Sequence, residues 1–171
     1  VYKRQAHGGT GLVTKIKTGE IIAITSLPDY DPNRYAAAKT EALFNQATKG
    51  VFEMGSIFKV LNTAIALELG TAGLNSTYDV TRPLRVGSFP IRDYHPHDRF
   101  LNLSEVFVFS SNIGSARIAE EFGPDIQRSY MDKLGLLERP TLKLTETAQP
   151  LYPTRWGRLS SYTISFGHGI S

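Results

Sequence analysis

A chain of 171 residues with 41% apolar and 20% charged side chains has the make-up of one globular domain or part of one, and excludes a disordered or fibrous polypeptide. Its net charge of +3 is spread thinly, the longest basic run being Lys3-Arg4, so no basic stripe is available to follow a nucleic-acid backbone. There is no cysteine, which excludes disulfides and thiolate metal sites, and no apolar stretch reaches the roughly 20 residues needed to cross a bilayer.

Val1 to Gln5 resembles translated sequencing adapter and is set aside, leaving residues 6–171 to carry the fold. No signal peptide is visible, and the chain stops at Ser171 directly after Gly167-His168-Gly169. Both ends read as cut, so absent segments carry no weight. Gly8-Gly9-Thr10-Gly11 lacks the helix and lysine of a phosphate loop and reads as chain entry. Leu12 to Ile16 and Ile21 to Ser26 are short runs rich in Val, Ile and Thr, separated by the turn composition Lys17-Thr18-Gly19-Glu20, which predicts a β-hairpin. Pro28-Asp29 and Asp31-Pro32-Asn33 break the chain into a loop, and residues 36–47 have the composition of a short helix.

Ser56 to Leu69 is the clearest predicted helix. Ile57, Val60, Leu61, Ala64, Ile65 and Leu67 leave it little polar surface, so burial is expected, with Gly70 as its C-terminal stop. Residues 73–99 read as loop, with extended pieces at Leu84 to Val86 and Phe89 to Arg92. A second helical stretch starts at Ser104 and runs through Phe109. Ile113, Ala116, Ala119 and Phe122 then recur at helical spacing up to Gly123. Pro124 suits the first turn of a third helix to Leu134, stopped by Gly135, and Pro140 to Pro153 reads as linker or edge. Strands followed by helices give an α+β fold, whose remaining strands are expected beyond Ser171.

The chemistry-bearing pattern is Ser56-Ile57-Phe58-Lys59. On a helix, residues three apart share a face, so the Lys59 amine can reach the Ser56 hydroxyl. Serine is a poor nucleophile without a base beside it, and a lysine of ordinary pKa, about 10.4, is protonated and useless as one. Burial among Ile57, Phe58, Val60 and Leu61 would depress that pKa, and the helix N-terminus would favour a developing oxyanion. The bland alternative is a serine N-cap with a surface lysine. Ser110-Ser111-Asn112 lies 54 residues beyond Ser56, at the entry to another helix. A turn there can direct Ser110 and Asn112 into one cleft, although serine and asparagine are also ordinary helix caps.

Asp93-Tyr94-His95-Pro96-His97-Asp98 gathers two histidines and two acids near a metal-ligand spacing, but Pro96 makes it a loop of solvated side chains and no metal is expected. His168 lies between glycines and suits either a cleft or a plain turn. Trp156, beside Arg155 and Arg158, reads as packing with a cation–π contact.

Taken together, Glu53-Met54-Gly55-Ser56-Ile57-Phe58-Lys59 and Ser110-Ser111-Asn112-Ile113-Gly114 resemble the penicillin-binding transpeptidases. Thr18-Gly19-Glu20-Ile21-Ile22-Ala23 resembles that family's first hairpin, and Ser26-Leu27-Pro28-Asp29-Tyr30-Asp31-Pro32-Asn33 the loop after it. Arg155-Trp156 and Ser165-Phe166-Gly167-His168-Gly169-Ile170-Ser171 resemble a later stretch of its class B, FtsI-type division members. The likeness spans nearly all of residues 11–171, with the motifs in the right order.

The resemblance implies a partial penicillin-binding/serine β-lactamase-like domain acting on peptidoglycan stem peptides that end in D-Ala-D-Ala. Ser56 would attack the penultimate D-alanine carbonyl, Lys59 would take the serine proton, Ser110 would pass a proton to the leaving D-alanine, and Asn112 would hold Lys59 and the substrate amide. Ser111 and the Gly167, His168 and Gly169 turn are the further expected substrate contacts. β-Lactams would acylate Ser56. No cofactor is implied. Divisome proteins are the implied partners, and the periplasmic face of the inner membrane is the implied location, reached through an anchor that this sequence lacks. The family's Lys-Thr-Gly or Lys-Ser-Gly motif is also missing, so the chain alone is expected to be inactive and poorly folded. Two rivals are a serine β-lactamase or β-lactam sensor, and a catalytically dead divisome scaffold.

Overall fold

The computed structural model of the chain describes residues 5–144 and 146–171. Of the five residues read as adapter, Val1 to Arg4 lie outside the described residues. The chain forms two compact units, one from residues up to Val51 with Arg139–Gln149, the other from Phe52–Glu138 and Pro150–Ser171.

In the first unit, β1 (Gly9–Thr14) pairs antiparallel with β2 (Ile21–Leu27), from Gly9 opposite Leu27 to Val13 opposite Ala23. The hairpin is the expected one, but its first strand begins three residues early and stops at Thr14. Lys15 accounts for this: its N–H donates to the Glu20 carbonyl at 2.8 Å, and its own carbonyl accepts from Thr18 and Gly19, so residues 15–20 form a wide turn. Ile16, read as strand, is 98% exposed at its tip. The single helix expected over 36–47 is instead two 3-10 turns, Pro32–Ala37 and Thr40–Leu43, and one α-turn, α1 (Gln46–Lys49). Ala38, Lys39 and Phe44 are extended between them, and Asp31 and Asn45 cap the first and last separately.

The second unit holds α2 (Phe58–Leu69), α3 (Leu103–Val108), α4 (Asn112–Lys133) and α5 (Arg158–Ile164). Two small antiparallel ribbons accompany them: β3 (Thr77–Asp79) with β6 (Phe100–Asn102), and β4 (Leu84–Val86) with β5 (Phe89–Ile91). β4 and β5 match the expected extended pieces. The β3–β6 ribbon and α5 were not legible beforehand. Asn102 and Glu105 form a reciprocal capping box that starts α3 one residue before the expected Ser104. The two predicted helices meeting at Gly123 and Pro124 are present as one element kinked there. Gly123 takes φ 78, which breaks the hydrogen-bond ladder, and Pro124 starts the second half.

Ile65, Leu101, Leu103, Val106, Ile113, Ile118, Met131, Tyr162 and Ile164 are all nearly inaccessible and form one core, each full burial contributing roughly 1.5–3 kcal/mol. Polar bridges cross it. Asn62 of α2 donates to the Ser115 hydroxyl of α4 at 3.2 Å, and that hydroxyl donates to the Ser165 carbonyl after α5 at 2.8 Å. Trp156 donates its indole N–H to Gln127, whose amide donates to the Ser161 carbonyl, both at 3.0 Å. Trp156 thus packs as expected, but the cation–π partner of Arg158 is Tyr162.

The α2 helix departs from the expected burial. Ile57 before it and Val60 and Leu67 within it are exposed, while Lys59 and Asn62 are buried. Packing against α4 selects the face carrying residues 59, 62 and 66, where hydrogen bonds to α4 engage the Lys59 amine and the Asn62 amide N–H while Asn62 Oδ1 is buried without a partner.

Candidate active site

Ser56 lies in a 3-10 turn, Gly55–Ile57, that runs directly into α2. It is not the N-cap: Met54 occupies that position, and no side chain caps the turn. The Ser56 hydroxyl is therefore free of the bland role and meets the Lys59 amine, one turn on, at 3.1 Å. Ser56 is exposed, whereas Lys59 is only 3% accessible.

The rest of the cluster comes from the turn between α3 and α4. Ser110 adopts φ 55, a left-handed conformation unusual for a residue with a β-carbon. That conformation goes with both of its oxygens reaching Lys59, the carbonyl at 2.6 Å and the hydroxyl at 2.9 Å. Asn112 presents Oδ1 to the amine at 2.7 Å, while its Nδ2 donates to the Arg92 carbonyl at 3.1 Å, which fixes the amide orientation. Four acceptors thus surround one amine. A neutral amine has two protons and a lone pair. It can donate to the two nearest acceptors, the Ser110 carbonyl and Asn112, and receive a hydroxyl proton with the lone pair.

Burial pushes the Lys59 pKa down from 10.5 to about 8, and the negative charge of Asp93 opposes the shift. At pH 7 roughly a tenth of the population then holds a neutral amine, against a few parts in ten thousand at the ordinary value. Two of the four apolar neighbours the sequence suggested, Ile57 and Val60, face outward and do not supply the desolvation, whereas Phe58 is buried and Leu61 packs against the core. The desolvation comes from the packing of the α2 face that bears Lys59 against the Ser110 turn.

Ser111 is the residue that caps α4. It is buried, accepts the Gly114 N–H at 2.8 Å and donates to Asp93 Oδ2 at 2.7 Å, so its hydroxyl is committed inside the protein and not offered to a substrate, contrary to expectation. Asp93 Oδ1 accepts the Ile113 N–H at 2.9 Å. Sequence reading had weighed Asp93 only as a metal ligand.

Gly167, His168 and Gly169 lie against the loop that leads into Ser56. The Gly55 N–H donates to the Gly167 carbonyl at 3.1 Å, and the Gly169 N–H donates to Glu53 Oε1 at 2.6 Å. His168 Nδ1 lies 3.4 Å from Glu53 Oε2, with the imidazole well exposed. The backbone of Gly167 and Gly169 is thus used to clamp residues 53–55, and His168 alone of the three presents a free edge outward. His95 packs on Tyr94 and His97 on Phe109, and among the described residues no three His, Cys, Asp or Glu side chains gather as a metal site. A concavity of about 620 Å³, lined by residues such as Tyr30, Arg34 and Glu41, belongs to the first unit and contains none of these groups.

The profile described as the penicillin binding protein transpeptidase domain matches residues 9–171. The chain is 43% identical over 164 residues to the probable peptidoglycan D,D-transpeptidase FtsI of Caulobacter vibrioides, covering 96% of this chain and 28% of that protein. It is 34% identical over 168 residues to the probable peptidoglycan D,D-transpeptidase PenA of Neisseria gonorrhoeae, covering 97% of this chain and 29% of that one. Among solved structures, the transpeptidase domain of Burkholderia pseudomallei penicillin-binding protein 3 superposes with a TM-score of 0.82 at 26% identity, covering 99% of this chain and 47% of that one. A peptidoglycan glycosyltransferase from Burkholderia ambifaria gives a TM-score of 0.84 at 27% identity, covering 99% of this chain and 50% of that one. The chain spans less than a third of the length of these two curated relatives. Profile, relatives and fold agree on one assignment: this chain belongs to the penicillin binding protein transpeptidase domain family.

Proposed function

We propose that the protein carrying this chain is a serine D,D-transpeptidase that cross-links peptidoglycan stem peptides during septal wall synthesis. The observation that carries the reading is the buried Lys59 amine held within 3.1 Å of the Ser56, Ser110 and Asn112 side chains. Ser56 Oγ attacks the penultimate D-alanine carbonyl as its proton passes to neutral Lys59. The tetrahedral intermediate collapses with cleavage of the D-Ala–D-Ala amide bond, and the leaving nitrogen takes the proton from Lys59 by way of the Ser110 hydroxyl. An amine of a neighbouring stem peptide then attacks the acyl-enzyme, the cross-link amide forms, and Ser56 recovers its proton. Asn112 orients Lys59 and contacts the substrate amide, and Ser111 holds the turn from within. Gly167, Gly169 and Glu53 set the angle at which Ser56 is presented, leaving His168 as the outward contact of that turn. β-Lactams acylate Ser56 as substrate mimics.

The proposed setting is the periplasmic face of the inner membrane, among divisome proteins. No helix among the described residues is long and apolar enough to cross a membrane. The names of the relatives support a transpeptidase over a β-lactamase. Nitrocefin separates the two on the complete gene product containing this chain. A stoichiometric burst followed by a stable adduct is expected, and sustained hydrolysis would refute the reading.

A further inference from the structure

We propose that Asp93 is a positioning residue for the Ser56–Lys59 pair, its carboxylate anchoring the Ser110–Asn112 turn against Lys59 and setting a negative charge beside the amine. This rests on the serine acyltransferase reading above. Asp93 follows β5, 18 residues before Ser111, and uses both carboxylate oxygens on the turn. Oδ2 accepts the Ser111 hydroxyl at 2.7 Å and Oδ1 accepts the Ile113 N–H at 2.9 Å. The adjacent Arg92 carbonyl accepts from Asn112 Nδ2 at 3.1 Å. Two consecutive residues therefore hold three consecutive positions, 111, 112 and 113, from outside the helix. Their neighbour Ser110 sits in a conformation that a free turn would relax, because left-handed backbone costs about 1–2 kcal/mol for a residue with a β-carbon. Without the anchor, the Ser110 oxygens and Asn112 Oδ1 lose their fixed distance from Lys59.

The charge has a separate effect. From α2, Lys59 meets the Ser56 hydroxyl, and from the α3–α4 turn it meets the Ser110 oxygens and the Asn112 amide, none of which titrates near neutrality. Asp93 is the charged group that acts on it, favouring the ammonium form against the push of burial. It tempers the base, keeping Lys59 able to hold the serine proton long enough to deliver it to the leaving group. The carboxylate is thus both clamp and counter-charge, and the two effects separate under substitution.

The test measures the acylation rate of Ser56 by a fluorescent penicillin across pH 5.5–9.5 (roughly the span over which Lys59 titrates) in the complete protein. Asp93→Asn keeps the size of the side chain and removes the charge. The acid limb is expected to move to lower pH and the plateau rate to fall roughly tenfold, as for loss of a charge-assisted hydrogen bond. Asp93→Glu, which retains the charge, is expected to lower the plateau and leave the limb close to its original position. Ser111→Ala removes one anchor with the charge intact. It is expected to slow acylation several-fold at unchanged limb position, and it keeps the proposal exposed if Asp93→Asn does not fold. An unmoved limb in folded Asp93→Asn, or unaltered acylation in Ser111→Ala, overturns the proposal and leaves the acyltransferase reading standing. Absence of Ser56 labelling in the unsubstituted protein overturns both.

Discussion

Gly55 and Gly167 touch through their backbones, and that contact fixes where the turn carrying Ser56 begins. The Gly55 N–H donates to the Gly167 carbonyl at 3.1 Å, and a β-carbon on Gly167 would overlap the Gly55 backbone. Gly167 also has φ 78. No other residue type fits there without moving the segment that carries Ser56.

Gly167→Ala is accordingly expected to destabilise by more than strain alone, which accounts for about 1–2 kcal/mol, and to slow Ser56 acylation. Gly169 has φ 80, but its β-carbon position is nearly open, its nearest neighbour being the Thr163 hydroxyl at 3.6 Å. Gly169→Ala should show strain alone. Thermal melts and penicillin labelling of the two variants check the order, and equal losses would count against the clamp.

Acylation should depend on pH as neutral Lys59 does. With the amine at about pH 8, the rate rises through that pH and levels off above it. Lys59→Ala should lose roughly two to four orders of magnitude, the usual contribution of a positioned base. A flat profile between pH 6 and pH 9, about one unit or more on either side of the midpoint, would assign the proton to another group.

The same shift has a signature in stability. The folded-state pKa of Lys59 lies below its ordinary 10.5, so between about pH 8 and that value the unfolded chain binds the additional proton. This group's contribution to stability is least favourable at low pH and rises as pH climbs through that window. Lys59→Met should remove that rising component in urea melts taken across it, and an unchanged slope would mean that the amine is not desolvated.

Gln127 bridges the Trp156 indole and the Ser161 carbonyl with no solvent access. Gln127→Leu leaves the Trp156 indole N–H unpaired, while the Ser161 carbonyl keeps the Ser165 N–H at 3.0 Å, and should cost about 1–3 kcal/mol. Trp156→Phe on that background should cost less than it does alone, and strict additivity in the double-mutant cycle would show that the bridge carries no energy.

Much of the site was legible because its residues sit in two short motifs. A three-residue spacing on a helix implies contact between Ser56 and Lys59, and the Ser110-Ser111-Asn112 turn needed only proximity to complete the cluster. What supports the site was not legible. Asp93, Glu53 and the Gly55–Gly167 contact act across 18 to more than 100 residues of sequence, and nothing local marks a carboxylate as an anchor for a distant turn. Ser111 was misread for a related reason: composition identifies a capping turn but not which hydroxyl turns inward. The α2 helix shows the limit of hydrophobic patterning. Ile57, Val60 and Leu67 were expected to be buried with the rest of the helix, yet packing with α4 buries Lys59 and Asn62 instead, where hydrogen bonds from the amine and the amide N–H replace water. β3 and β6 are three residues each, too short to display a period, and are defined only by pairing with one another.

The central claim is that the Ser56 hydroxyl is the nucleophile. Peptide mapping by mass spectrometry after β-lactam treatment of the complete protein tests it most directly. The account expects the covalent adduct on the peptide containing Ser56, lost in Ser56→Ala. An adduct that persists in Ser56→Ala, or one that maps to Ser110, would contradict it.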